Sequence, residues 1–188
     1  MATTTPGHLQ ERLVADVDEA FPAVVERYID GLYSGVLRLT NERTAAEDIV
    51  QETFVRAHGA LHRYTPQRRN ELRVSGWLWT IALNLCRNRA RDVKRRPKNV
   101  PLDSVAESAA TDDPATEAIA AVDTTWSKRL RSLADHERTA VVLRHVVGLS
   151  YRDMSTALDR PEGTLKSDVH RGLKRLRILI EDEGTNAA

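Results

Sequence analysis

Residues 148–177, GLSYRDMSTALDRPEGTLKSDVHRGLKRLR, hold two amphipathic segments separated by a short turn. The first opens at Ser150, which with Asp153 three residues later makes a capping box, and runs to about Leu158. The stretch DRPEG then turns the chain. In the second segment Leu165, Val169, Leu173 and Leu176 form an apolar stripe. Lys166, Ser167, Asp168, His170, Arg171 and Lys174 lie on the polar side. Two helices joined by about four residues, the second longer and basic, have the spacing of a helix-turn-helix. Such a face suits a DNA major groove, with lysine and arginine neutralising phosphates and shorter polar groups meeting base edges. The plainer alternative is a solvated face on an ordinary helical pair.

The bulk numbers agree with an all-helical chain. At 188 residues there is room for one ordinary domain or two small ones, and 41% hydrophobic content supports real cores. Aromatics are only 5%, and β-branched residues do not gather into alternating runs, which favours helices over sheets. The net charge of +1 hides a strong pattern along the chain. From Arg87 to Lys98 there are seven lysines and arginines against Asp92 alone. From Asn99 to Thr125 there are six acids and no lysine or arginine, and from Arg160 to Arg177 six bases against Glu162 and Asp168. Two basic patches flanking an acidic connector point to two contacts with a polyanion. The single cysteine, Cys86, excludes an internal disulfide and a multi-cysteine zinc site, and reads as a small buried apolar residue. Without an apolar run of signal-peptide or membrane-span length, a soluble cytoplasmic protein is expected.

Residues 1–8 have the composition of a frayed end. Phe21, Val24, Val25, Tyr28, Leu32, Val36 and Leu39 recur at helical spacing and predict a helix from about Phe21 to Thr40. Thr44 and Glu47 read as a capping box for the next helix, with Ala46, Val50, Phe54, Ala57 and Leu61 as its buried stripe. That helix is expected to stop before Thr65-Pro66, because proline pushes its predecessor out of the helical region. A polar loop, TPQRRNELRVSG, precedes a helix from about Ser75 to Arg95 with Leu78, Ile81, Ala82, Leu85 and Val93 inward. Residues 97–124 read as a linker, with one short helix near Thr116–Val122. Helices are expected again over about Asp123–Leu133 and His136–Val147.

Three surfaces besides the helix-turn-helix carry candidate chemistry. In AEDIVQETF, Asp48, Gln51, Glu52 and Val55 share one face, opposite Ala46, Val50 and Phe54. Asp48 and Glu52 have the i, i+4 spacing of a metal pair, but no histidine or third carboxylate at matching spacing supports one. In the Ser75–Arg95 helix, Trp77, Thr80, Asn84, Arg87, Asn88 and Arg91 form a stripe of an aromatic, amides and guanidiniums that can hold unpaired bases and their backbone. For Trp77, core packing is an equal alternative, and Trp79 is expected to be structural. The preceding loop contributes Arg68, Arg69 and Arg73.

The stretches GLSYRDM, EGTLKS and HRGLKRLR resemble the C-terminal promoter-binding domain of extracytoplasmic-function (ECF) sigma factors. AEDIVQETFVRAH is similar to that family's core-polymerase-binding segment, and WLWTIALNLCRNRARDVKRR to its −10-element helix. The likeness covers roughly residues 19–96 and 125–180, in the family's order. It implies two small helical domains, residues 9–96 and 125–188, joined by a flexible acidic linker over 97–124. It further implies that Asp48, Gln51, Glu52 and Val55 meet the clamp helices of the RNA polymerase largest subunit. Arg68, Arg69, Trp77, Asn84, Arg87, Asn88 and Arg91 would hold the melted −10 strand, with a flipped base captured by the loop over Tyr64–Gly76. That loop is longer and more basic than in many members of the family. Contacts to the −35 duplex would come from Arg144, Lys166, Ser167, Asp168, His170, Arg171 and Lys174. The linker would thread the polymerase channels, and an anti-sigma factor occluding these surfaces is a further implied partner. No enzyme activity, metal or cofactor is expected, since the bond-making chemistry belongs to the polymerase.

A stand-alone helix-turn-helix repressor or activator is the rival reading, but it leaves AEDIVQETF and the tryptophan helix without a purpose. Many family members carry arginine at the position of Asp168. Two roles stand open for this acid: accepting from a cytosine N4 amine, or pairing with Arg171 at i+3, which is the favoured one.

Overall fold

A computed structural model of the chain describes residues 6–95 and 125–186, and every described element is helical, with no strand among them. The expected linker and its short helix near Thr116–Val122 lie outside the described residues. Helix α1 spans Pro6–Ala15, α2 Val17–Thr40, α3 Arg43–Arg63, α4 Pro66–Glu71 and α5 Val74–Arg95. After α6 (125–131) come α7, Asp135–Val141, which continues as a π turn over Val142–Val146, then α8, Tyr151–Leu158, and α9, Glu162–Asn186.

Helix α1 takes in residues 6–8 of the expected frayed end, residues 1–5 lying outside the described residues. Leu9 and Leu13, one turn apart, are buried together with Val17, so a short stretch with few apolar residues still earns a helix from tertiary contact. Asp16 separates α1 from α2, its carboxylate accepting from the backbone N–H groups of Asp18 (2.8 Å) and Glu19 (3.1 Å). This cap moves the start of α2 four residues ahead of the position expected from periodicity. Asn41, in the left-handed region at φ 57°, ends the helix by donating its N–H to the Leu37 carbonyl.

The expected capping box of α3 does not form. The helix already starts at Arg43, which puts Thr44 inside the first turn, and Glu47 pairs with Arg43 at 3.2 Å instead. The buried stripe is as expected, with Ala46, Val50, Phe54, Ala57 and Leu61 all inside. The polar loop also differs, because it contains α4, with Thr65 as N-cap and Pro66 in the first turn. No apolar stripe announces α4, since side chains of α1 hold it. Gln10 Nε2 donates to the carbonyls of Arg69, Asn70 and Leu72, and Arg69 Nη1 donates back to those of Leu13 and Val14. The two helix C-termini thus satisfy each other's orphan acceptors.

In α5, Val74, Leu78, Trp79, Ala82 and Leu83 are buried, and Trp79 is structural as expected. Val93 is exposed, against expectation, as is every residue from Ala90 to Arg95, because the end of the helix has no neighbour among the described residues to bury an apolar stripe. In the C-terminal unit, Leu130, Leu133, Val141, Val142 and Leu176 make a small core of their own. Half of the expected Ser150–Asp153 box forms: Ser150 caps α8 by accepting from the Asp153 N–H, while the Asp153 carboxylate accepts from the Ser150 hydroxyl at 2.6 Å rather than from its backbone N–H.

The larger core does not stop at the domain boundary. Leu78 and Trp79 of α5 belong to the same buried cluster as Leu143, Leu149, Met154 and Leu165. The seam depends on two glycines. A Cβ at Gly76 would lie 2.7 Å from the backbone oxygen of Asp153, and one at Gly35 would lie 2.7 Å from Val147 Cγ2. Beside Gly76, Arg73 pairs with Asp153 at 2.7 Å, and Thr80 donates to the Thr156 carbonyl at 3.3 Å. Gly76→Ala is therefore expected to lower the unfolding free energy by about 1–2 kcal/mol, the overpacking cost outweighing the roughly 1 kcal/mol that alanine gains over glycine in a helix. Urea denaturation measures it, and an unchanged midpoint would mean that α8 does not rest on α5 in solution.

Candidate nucleic-acid interface

Helices α8 and α9 meet through a tight turn in which Asp159 adopts the left-handed conformation, φ 52°, and Pro161 offers its carbonyl to the Leu165 N–H. Along α9 the buried residues are Leu165, Asp168, Val169, Gly172 and Leu176. Leu173, expected inside, is 40% exposed, and Asp168, expected on the polar face, is fully buried. The cause of this rotation is Gly172. A Cβ there would meet Val141 Cγ2 at 2.6 Å, so α9 closes on α7 along the glycine line, and the leucine beside it faces out. Lys166, Ser167, His170, Arg171 and Lys174 remain exposed together, as expected.

A buried acid must be paired, and Asp168 is. One oxygen accepts from Arg160 Nη1 at 2.6 Å, and the other is bonded by Arg171 Nη2. Glu137 of α7, only 2% exposed, lies 3.6 Å from Arg171 Nε and 3.2 Å from Arg175 Nη1. The network Arg160–Asp168–Arg171–Glu137–Arg175 ties the turn, α7 and α9 together. Direct base contact by Asp168 is corrected by this burial: the carboxylate cannot reach a groove, and the pairing with Arg171 is what forms. Arg160 and Glu137 went unrecognised in the sequence because their partners come from other helices. Arg144 is half-buried, donates to the Leu149 carbonyl at 2.8 Å and stacks over Tyr151, which Lys166 also approaches. It braces the start of α8 beside α9.

On α5 the stripe is divided. Asn84, Arg87, Asn88 and Arg91 are exposed, and the side-chain Oδ1 of Asn84 accepts from Arg87 Nη1 at 2.9 Å. Trp77 is half-buried against the main core and lies 5.9 Å, ring centre to ring centre, from Tyr64, so it plugs the end of the bundle. Thr80 faces α8. Arg68 stacks over Tyr64 at 4.1 Å and stays exposed. Arg69 is a correction: its guanidinium donates to the carbonyls of Leu13, Val14 and Tyr64, which leaves it a strut between α1 and α4 with little capacity for DNA.

On α3, Asp48, Gln51 and Val55 are exposed, Val55 to 67%, and Glu52 is half-buried and bonded to Arg56 at 2.6 Å. This face therefore sets an exposed valine beside two carboxylates and an amide. Cys86 is half-buried, and burial pushes its thiol up to about 11, so it carries no thiolate at neutral pH. Among the described residues no helix is long and apolar enough to cross a membrane.

Comparison with known proteins resolves what these surfaces belong to. Residues 24–96 match sigma-70 region 2, and residues 126–176 match sigma-70 region 4. The ECF RNA polymerase sigma-E factor of Haemophilus influenzae is 31% identical over 92% of this chain and 94% of its own length. ECF sigma factor SigW of Bacillus subtilis is 31% identical over 87% of this chain and 90% of its own. The sigma factor RpoE of Bartonella quintana, solved in complex with the anti-sigma factor NepR, superposes with a TM-score of 0.63 at 25% identity, over 86% of this chain and 96% of that one. CnrH, solved with the cytosolic domain of CnrY, shares the fold with a TM-score of 0.71 at 22% identity, covering 94% and 97%. A stand-alone helix-turn-helix regulator accounts for neither the region 2 match nor the length of these alignments. The chain belongs to the ECF family of RNA polymerase sigma factors and is an alternative-sigma transcription initiation factor.

Proposed function

We propose that this sigma factor docks on core RNA polymerase through the Asp48–Gln51–Glu52–Val55 face of α3. In this reading it holds the melted −10 strand against Asn84, Arg87, Asn88 and Arg91 of α5, with Arg68 beside them, and reads the −35 duplex with α9. The observation that carries this reading is the division of the exposed surface: an acidic stripe on α3, and basic stripes on α5 and α9. A paired carboxylate surface suits an arginine-rich protein partner, and basic stripes suit phosphates. Lys166, His170 and Lys174 make the outer contacts of α9. Arg171 presents what its bonds to Asp168 and Glu137 leave free, and Asp168 acts only by holding it in place. The protein works in the cytoplasm as a non-enzymatic factor, with residues 9–96 and 125–188 as its two working units and the acidic segment 97–124 between them.

The seam between α5 and α8 bears on regulation. The −10 and −35 elements lie, by their names, roughly 25 base pairs or 85 Å apart along B-DNA. Helices in contact cannot serve both, so α5 and α8 must part when the promoter is bound. An anti-sigma factor that clamps the closed form would block both DNA surfaces together.

The decisive experiment mixes the chain with core polymerase and follows co-elution and promoter-specific run-off transcription; absence of co-elution would sink the proposal. Asp48→Lys with Glu52→Lys is expected to abolish co-elution while leaving helical content unchanged, since both residues sit on the outer face; retained binding would mark that face as merely solvated. Asp168→Ala is expected to cost about 2 kcal/mol, below the roughly 3–5 of a fully buried pair because Arg160 and Arg171 are 34% and 52% exposed and regain water. It should weaken −35 binding uniformly across promoter variants, whereas a preference change at one base pair would restore direct readout by the acid. Lys174→Ala should reduce the salt dependence of duplex binding by about one phosphate contact, read from the slope of affinity against salt.

A further inference from the structure

His58 and His62 stand one turn apart on α3 and point the same way, toward the first turn of α2. There they meet Asp18. His58 Nε2 lies 2.8 Å and His62 Nε2 3.0 Å from the same carboxylate oxygen, Oδ1, and the two Nε2 atoms lie 3.2 Å from each other. Core packing does not require these imidazoles, because Ala57 and Leu61 already fill the buried stripe of that turn. Hydrogen bonding alone serves the trio poorly. If both nitrogens carry hydrogens for the shared oxygen, two N–H groups crowd together; if one does not, that nitrogen faces the carboxylate lone pair against lone pair.

A cation at the centre satisfies all three atoms. Zinc-class ions sit about 2.0–2.1 Å from imidazole nitrogen and carboxylate oxygen, which makes the edge of a tetrahedron roughly 3.3 Å. The three observed separations are shorter than that edge by about 0.1 to 0.5 Å, and small rotations of the three side chains supply the difference. The ligands are also pre-positioned. Phe21 packs edge-on to His58 at 4.8 Å, and the His58 and His62 rings stack edge to face at 4.6 Å. The Asp16 cap fixes the backbone of Asp18.

We propose that Asp18, His58 and His62 form a binding site for one divalent ion of the zinc class, which clamps α2 to α3 and leaves a coordination position open to solvent. Two imidazoles and one carboxylate favour zinc, cobalt or nickel over magnesium or calcium. His58 and His62 fall seven residues after Gln51 and Val55, so the ion would sit at the end of the face assigned above to polymerase. The metal site itself does not depend on that assignment.

The test uses full-length, tag-free protein stripped with chelator and titrated with Zn²⁺ against a chromophoric competitor. Wild type is expected to take up one equivalent and to gain melting temperature, and Co²⁺ should give the absorption bands of a tetrahedral site. His58→Ala with His62→Ala keeps four of the six histidines and serves as the background; it should lose both the equivalent and the thermal gain. Asp18→Asn should lose most of the affinity with unchanged helical content in chelator, which separates ligand loss from misfolding. Uptake equal in wild type and the double variant, or no uptake by wild type, overturns the proposal.

Discussion

The close approach of α5 and α8 at Gly76 is the constraint on which the rest of the arrangement depends. Without a Cβ at this position, the backbone of α8 can come within van der Waals reach of α5, and the larger buried cluster runs across both halves. The hydrophobic gain of that contact is spread over Trp79, Leu149, Met154 and Leu165, while Arg73–Asp153 and Thr80–Thr156 supply direction. Area in the apolar contacts holds the two halves together, and direction in the polar ones fixes their register. The same seam decides which side of α5 is free, leaving Asn84 to Arg91 accessible and turning Thr80 inward.

A second constraint is electrostatic. Two acids, Asp168 and Glu137, are buried in the C-terminal unit, and three arginines surround them. Buried ion pairs add little net stability compared with apolar packing, but their geometry is exacting. Here that geometry positions the turn before α9, the rotation of α9 and the outward edge of Arg171 at once. The buried acid on α9 thus acts through the placement of its neighbour.

Much of the fold was legible in the sequence. The stripe Ala46–Val50–Phe54–Ala57–Leu61, the stop before Thr65-Pro66 and the Ser150–Asp153 cap depend on residues within a few positions of each other, and the structure reproduces them. Helix α4 and the reciprocal capping by Gln10 and Arg69 link residues some sixty positions apart, which no local pattern reports. The Thr44 box failed because Arg43 already continued the helix, leaving threonine nothing to cap. Leu173 and Asp168 exchanged places because the inner stripe of α9 is set by the neighbour that Gly172 admits, rather than by hydrophobicity alone.

By itself, then, the sequence determined which segments are helical, which faces are apolar, where basic and acidic charge accumulates and which family the motifs resemble. These follow from backbone propensity and from spacing along one helix. Only the tertiary structure decided that Asp168 is inside, that Arg69 and Arg73 serve the fold, that the two halves share a core, and that Asp18 meets His58 and His62. Each of these depends on atoms brought within a few ångströms by helices distant in the chain, and such proximity is a property of packing that no periodicity encodes.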